Sequence, residues 1–567
     1  MKKLRVGLII DDIDQEWMIS DLIKRSTLSE LYSINLLIIQ KSFRSEKQSP
    51  LNRLMSTFSK RGLKVTIEKS IFKLIELIEF HALKTASGIL RNNRIYSIIS
   101  DSQAKIPISA FDIEKIYVSP DISPNGLTYR YNDDDIEKIK ICEPDVLVRG
   151  GSGILSGTIL DICPFGILSF HHGDNRTFRG TPPGFWEVLQ RSPSTGFVIQ
   201  KLSDELDGGD VIFRGNINTA QTYTLNKARI FKKSNIFLNN ILEKTAKSGR
   251  LSGSEEKTPF CYPLYKTPDT LSSFQYTFKT LGHIAAKALR KARGYSQRWS
   301  VAFQFSGSWN ATVMRKATVI DNPAGHFLAD PFVVERGGRH FCFVEDFDFR
   351  KGKGVISAYQ LEPKAHSSLG VALEEDFHLS YPYIFSYGLD LLMCPETHEK
   401  NEIRLYRATD FPTGWQFHKT LMSGVSAADT LLFENNGKWW MLTNIDSAEI
   451  GDHDSELHIF HADSPESESW IPHSQNPVIF DSRRARNGGL IMQDDTLYRV
   501  FQVQGFDTYG ESMGVARIDV LNEDEFEETV ICRIEPKYLP GLSGTHHMTA
   551  AGGVTAFDFA KFESKKS

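Results

Sequence analysis

The densest group of side chains able to do chemistry lies just after a short apolar run, Ile167 to Phe170. There the chain enters a loop holding His171, His172, Asp174, Asn175, Arg176 and Arg179. Ligands of open α/β sheets bind beyond the carboxyl ends of the strands, which is where this loop falls. A second group lies far downstream. Asp330, Asp429, Asn487 and His546 stand at comparable places in a repeat, Glu345 and Asp346 end the strand after the first, and Glu396 holds a similar place in the second unit. Aspartate and asparagine at strand starts also cap turns, so a structural role stands beside a chemical one.

The elements that must position the first group are those of a parallel sheet. Val6 to Ile10 and Ile34 to Ile39 are continuous apolar runs with a helical stretch between them, the β-α-β opening of such a sheet. Residues 49–106 are polar and basic with apolar residues at helical spacing, and are expected as a helical insertion. The sheet pattern resumes at Ile116–Val118, followed by a helix over Asp133–Ile141 with Asn132 and three aspartates at its start. A buried strand, Asp145 to Arg149, precedes the strand that ends at the polar loop. Residues 1–225 are expected as this α/β domain, and 226–297 as a helical linker. The basic, amphipathic stretch Phe278–Arg293 is expected to be an interdomain helix with a solvated face, with membrane-surface binding as the alternative.

From Trp299 onward, strand-like runs alternate with Gly, Asp, Asn and Pro turns. Units opening at Ala329, Tyr381, Ala428, Arg486 and Gly544 recur about every 50 residues, the spacing of four-stranded blades. The expected fold is therefore multidomain: a Rossmann-type α/β domain followed by an all-β, five-bladed propeller over 298–567. Trp299–Phe305 is expected to close the ring by pairing with the last blade. The inner strands would then aim Asp330, Asp429 and His546 at one pocket. Tyr381, Tyr383, Trp439 and Trp440 suit sugar faces but are expected mainly to fill the blades.

Several motifs in order carry a family resemblance. Ser169-Phe-His171 is followed by Arg179-Gly180, a Thr195-Gly strand and the acidic loop Leu206-Asp207-Gly208-Gly209, and Pro144–Val148 precedes Gly153-Ile154-Leu155. Over 144–213, and more weakly back to Val6, the chain resembles the folate-dependent formyltransferases of methionyl-tRNA, phosphoribosylglycinamide and amino sugars. The resemblance implies 10-formyltetrahydrofolate as donor, an amine as acceptor, and folate contacts at Gly153, Ile154, Leu155, Arg179 and Gly180. It gives His171 the task of stabilising negative charge on the formyl oxygen and passing a proton to the leaving nitrogen, and gives Asp207 that of tuning it. The family's asparagine is Ser169 here. A hydroxyl offers one donor on a shorter side chain, and losing one such donor typically costs on the order of 100-fold in rate. Asn175 and His172 are candidates to compensate.

The second half resembles five-bladed propellers of arabinanase, xylosidase and fructosidase type, and the N-terminal region of plant glucosamine inositolphosphorylceramide transferases. The first resemblance implies an acid–base pair across a sugar, Asp330 and Glu396, with Asp429 supporting.

A hydrophobic fraction of 41% and a charged fraction of 24% are those of ordinary globular chains. A net charge of −4 gives no footprint for nucleic acid. No apolar run approaches a membrane span of about 20 residues. The six cysteines form no C-x-x-C pair, so buried free thiols in a reducing cytoplasm are expected, with no metal site. The function expected is formyl transfer to an amino sugar or glycan precursor, with a propeller that holds the carbohydrate. The alternative is a carbohydrate-binding or glycoside-processing propeller whose formyltransferase half is divergent or silent.

Overall fold

The apolar runs of the first half assemble into one seven-stranded sheet. In the computed structural model its strands are β1 (Leu4–Ile10), β2 (Tyr32–Gln40), β3 (Glu114–Val118), β4 (Val146–Arg149), β5 (Ile167–His171), β6 (Ser194–Lys201) and β7 (Asp210–Asn218). The order is β7-β6-β5-β4-β1-β2-β3. The five strands from β5 to β3 run parallel, while β6 and β7 return antiparallel. The structure describes residues 3–11, 14–41, 50–102, 104–107, 111–124, 126–204, 209–251 and 253–564. The chain divides into two units, 1–280 and 281–567.

Burial on both faces explains the unbroken apolar runs. Val6, Leu8, Ile9 and Ile10 of β1 are wholly enclosed. One face carries α1 (Trp17–Leu28) and α6 (Tyr223–Ser248); the other carries α4 (Asp133–Ile141), whose Ile136 and Ile139 pack with Ile9, Ile38 and Tyr131. Asn132 caps α4 as its sequence predicts, its side-chain oxygen accepting from the Asp135 amide at 2.8 Å, and three aspartates fill the first turn. Residues 50–101 hold α2 (Pro50–Ile89), broken at Gly62 where φ is 80°, and α3 (Asn93–Asp101).

The stretch expected as a linker is not one. Fourteen residues of α6 are buried, among them Ile230, Leu238 and Leu242, and the Asn226 amide donates to the Gly184 carbonyl and to Thr195 Oγ1 at 2.9 and 2.8 Å. An apolar face of that width belongs to a core, so the first unit runs on to residue 280. Helix α7 (Thr270–Ala292) is held in that unit through Tyr276, whose hydroxyl accepts from the Tyr223 amide at 2.8 Å and donates to Glu79. Beyond Thr280 its apolar side chains Leu281, Ile284 and Leu289 are exposed.

The second unit consists of five antiparallel blades. Their inner strands are His326–Arg336, Ser380–Tyr387, Ala427–Asn435, Asn487–Gln493 and Met548–Ala551. Each inner strand lies beside the next, and the fifth returns to the first, which closes the ring. In blade five the partner of the inner strand, Val554–Ser564, pairs antiparallel with Tyr295–Phe305, so the two ends of the unit share one blade. Trp299–Phe305 falls within that pairing, as expected from its sequence. Trp439, Trp440, Tyr381 and Tyr383 are buried in the blades. All six cysteines are unpaired; Cys163, Cys342 and Cys394 are buried, whereas Cys261 is exposed, contrary to the expectation of buried thiols throughout.

Candidate functional sites in the two units

Register places a polar row on one face of the parallel sheet. Ile38, Ile9, Arg149 and Ser169 are direct neighbours across β2, β1, β4 and β5, and Gln200 of β6 continues the row. Side chains alternate faces along a strand, so Gln40, Asp11 and His171, each two residues further on, point to the same side. The apolar row thus turns polar at Arg149 and Ser169, at the carboxyl ends of parallel strands.

The partners within this edge are specific. Asp11 accepts from Gln40 Nε2 at 2.8 Å and from the Ser152 amide at 3.0 Å, and Gln40 accepts from the Tyr131 hydroxyl at 2.7 Å. Arg149 donates through Nη2 to the Gly153 carbonyl, while its Nη1 lies 3.5 Å from the Ser169 hydroxyl. Its Nε is buried without a hydrogen-bond partner among the described residues. Burial lowers the Arg149 pKa, with Asp11 opposing the shift. A buried donor with no acceptor among the described residues fits a ligand oxygen.

Both candidates for replacing the family asparagine are engaged elsewhere. His172 lies on the opposite face, its ring 4.1 Å from that of Phe231 and its Nε2 3.0 Å from Ser234 Oγ. Burial, with His171 and Lys227 adding, pushes it down to about 3, so it is a neutral core histidine. Asn175 is buried and accepts from Arg214 Nη2 at 2.9 Å; the same guanidinium pairs with Asp174 and Glu255. Asp207 lies outside the described residues.

The residues expected to contact folate divide. The Gly153 carbonyl faces Arg149, but the Leu155 side chain is buried with Ile136 and Ile159 in the core, and Ile154 lies in the short strand Ile154–Ser156. Arg179 and Gly180 meet a downstream segment. Gly180 meets Tyr265 backbone to backbone, the Tyr265 amide donates to the Arg179 carbonyl at 2.7 Å, and the Arg179 guanidinium stacks 4.3 Å over Phe260. A Cβ at Gly180 would stand 2.0 Å from the Tyr265 oxygen, so this glycine permits the close approach of two chains.

In the propeller the repeat produces a second polar centre. The inner strand of each of the first three blades carries a bulge with a left-handed residue at the same place: Asp330 (φ 51°), Tyr381 (48°) and Asp429 (50°). Opposite the preceding residue, the second strand supplies Glu345, Glu396 and Asn444. Gln502 and Asp558 take the corresponding places in blades four and five, their amides donating to the Arg486 and His547 carbonyls. Every blade therefore contributes one buried polar side chain from its second strand.

All five residues singled out from the sequence, Asp330, Glu345, Glu396, Asp429 and His546, are buried in this centre. Arg486 ties the blades together, 2.6 Å from Asp429, 3.1 Å from Asp454 and 3.8 Å from Glu396. Glu396 also meets His398 Nδ1 at 2.6 Å; burial would raise its pKa, but His398 and Arg486 prevail and hold it below its usual range. Glu345, by contrast, is pushed well up by burial and by the carboxyls of Asp330 and Glu396, so it is a proton donor. Among the described residues, Asp330, His546 and Asp558 offer ligand atoms within 4.8 Å of one another, a spacing that suits a metal ion. Both imidazole nitrogens of His546 face these carboxylates.

Arg149, Gln40, Asp558 and Arg486 were not singled out from the sequence. The available signal was a charged or amide residue ending or interrupting an otherwise apolar run, as Arg149 does after Val146-Leu-Val148 and Asp558 does in Ala556-Phe-Asp-Phe-Ala560.

Comparison with known proteins matches this division. The family described as formyl transferase matches residues 83–235, and that described as the N-terminal part of glucosamine inositolphosphorylceramide transferase 1 matches residues 296–537. Glucosamine inositolphosphorylceramide transferase 1 of Arabidopsis thaliana is 32% identical over 234 residues, 40% of this chain and 30% of that protein. Methionyl-tRNA formyltransferase of Bacillus cytotoxicus is 23% identical over 256 residues, 43% of this chain and 78% of that protein. The solved structure of Zg3597, a family 117 glycoside hydrolase from Zobellia galactanivorans, covers 46% of this chain and 90% of its own, with 9% identity and a TM-score of 0.31. The chain thus spans under a third of the length of the first plant relative. It joins a formyltransferase-type α/β domain to a five-bladed propeller similar to the N-terminal region of those plant transferases.

Proposed function

We propose that the first unit transfers a formyl group from 10-formyltetrahydrofolate to an amino group of a sugar or glycan precursor, and that the propeller binds the carbohydrate. The observation that carries this reading is the polar row of Arg149, Ser169 and His171 on one face of neighbouring strands, at the carboxyl edge where α/β sheets take ligands. The plant relatives' name contains glucosamine, whose amino group is of the class that formyl transfer requires of an acceptor.

The folate would supply an activated formyl carbon, and the Gly153–Leu155 backbone beside Arg149 would hold it. His171, rooted at the end of β5, takes the proton of the attacking amine and returns it to the leaving nitrogen. Asp207 keeps that imidazole in the tautomer the transfer needs. The six unpaired cysteines favour a reducing compartment, and we place the chain in the cytoplasm.

Purified full chain with a ¹³C-formyl donor and a panel of amino sugars and amino-sugar nucleotides tests this. Wild type should label an acceptor, and His171→Ala should lower the rate by on the order of 100-fold or more. Equal inertness of the two across all acceptors overturns the reading.

A second reading rests on the buried carboxylates of the propeller. In it Glu345 or Glu396 and Asp330 act on a glycoside, and the first unit is silent. Release of sugar from aryl glycosides by wild type, lost in Asp330→Asn, would favour it.

A further inference from the structure

We propose that Arg149 supplies to the formyl oxygen the donor that Ser169 is too short to provide. The inference deepens the formyl-transfer reading and rests on it. In the formyltransferase pattern an asparagine amide stands at position 169; here a hydroxyl takes its place, on a buried residue. The side chain that reaches this hydroxyl is Arg149, its direct neighbour in register on β4, with Nη1 3.5 Å away.

Two features make Arg149 more than a structural cation. Its Nη2 is anchored on the Gly153 carbonyl, which fixes the guanidinium plane at the strand end. Its Nε is buried and has no hydrogen-bond partner among the described residues, so the group retains donor capacity that these residues leave unused. The nearby candidates do not serve: His172 is sealed on the other face against Phe231, and Asn175 is held by Arg214. Asp11, within electrostatic reach, is occupied by Gln40 and the Ser152 amide, so it balances the charge of Arg149 without capping it. A guanidinium stays protonated through the accessible pH range, and in a partly dry site it stabilises developing negative charge more strongly than a neutral amide.

In the reaction the amine lone pair forms the new C–N bond to the formyl carbon. The bond from that carbon to the folate nitrogen breaks with its electron pair, and the amine proton passes through His171 to the folate nitrogen. Arg149 acts in between, when charge is greatest on the formyl oxygen.

The test combines a rate and a binding measurement on the full chain. One ligand is a folate analogue bearing an aldehyde, which hydrates to a tetrahedral diol; the other is a planar amide analogue. Arg149→Met should slow transfer by about 100-fold with little change in donor KM, and weaken the aldehyde analogue far more than the planar one. Adding Ser169→Asn to Arg149→Met should recover about tenfold of the lost rate. If Arg149→Met melts without cooperativity, Arg149→Lys carries the test, with an expected loss of about tenfold because the forked donor geometry is gone. An active wild type with Arg149 variants unchanged in rate and in the affinity ratio overturns the role of Arg149 and leaves formyl transfer standing. A wild type that neither transfers nor binds either analogue overturns both.

Discussion

His546 of blade five stands between two carboxylates, its Nε2 3.2 Å from Asp330 and its Nδ1 2.9 Å from Asp558. Burial alone would push this imidazole down, but Asp558 and Asp330 outweigh it and raise it from 6.5 to about 10. The folded propeller therefore binds a proton that the unfolded chain releases near 6.5. This contribution to stability is fully present below pH 6.5 and is lost as the pH rises toward 10. Calorimetric melting across that range should show the propeller transition falling, and His546→Gln should flatten the fall. A propeller Tm that is level from pH 7 to 10 in wild type contradicts the pairing.

Glu187 in α5 (Phe185–Gln190) is an acid buried with no cation paired to it among the described residues. Burial, with Asp174 adding, raises its pKa from 4.5 to about 8. The folded chain holds a proton there that the unfolded chain has lost, so stability falls as pH rises from 4.5 through 8. Glu187→Gln should raise the Tm of the first unit at pH 8 and leave it nearly unchanged at pH 4.5. A variant equally or less stable at pH 8 contradicts this.

Gly180 brings the chain against Tyr265, and any side chain there meets the opposing carbonyl at a φ of 119°. Gly180→Ala should lower the stability of the first unit by roughly 2–4 kcal/mol, the cost of strain and overpacking together. Urea unfolding checks this; a change below about 0.5 kcal/mol would mean that the two segments part easily.

Features that act locally along the chain are legible in the sequence. Continuous apolar runs mark β1, β2 and β4 because both faces of a parallel sheet are buried, and the recurring turns mark the blades. The cap Asn132 is legible for the same reason, since it acts on the Asp135 amide three residues away. What was missed is set by register. Arg149 becomes a neighbour of Ser169 only because β4 and β5 pair in one particular alignment, twenty residues apart in sequence. The Arg179-Gly180 motif carries no local sign of the chain segment it meets some 80 residues on, Phe260 to Tyr265. The left-handed bulges at Asp330, Tyr381 and Asp429 were visible as a repeated position, but not as a backbone device that turns those residues inward.

Formyl transfer by this chain requires that the carboxyl edge of the first sheet receive a formyl donor. Titration calorimetry of the full chain with an unreactive formyl-folate analogue measures it, alongside a Ser169→Phe variant that sets a bulky ring next to Arg149. Saturable binding of one analogue per chain in wild type, lost in Ser169→Phe while the melting curve is retained, is the predicted result. No binding by wild type, or binding that Ser169→Phe leaves intact, would contradict it.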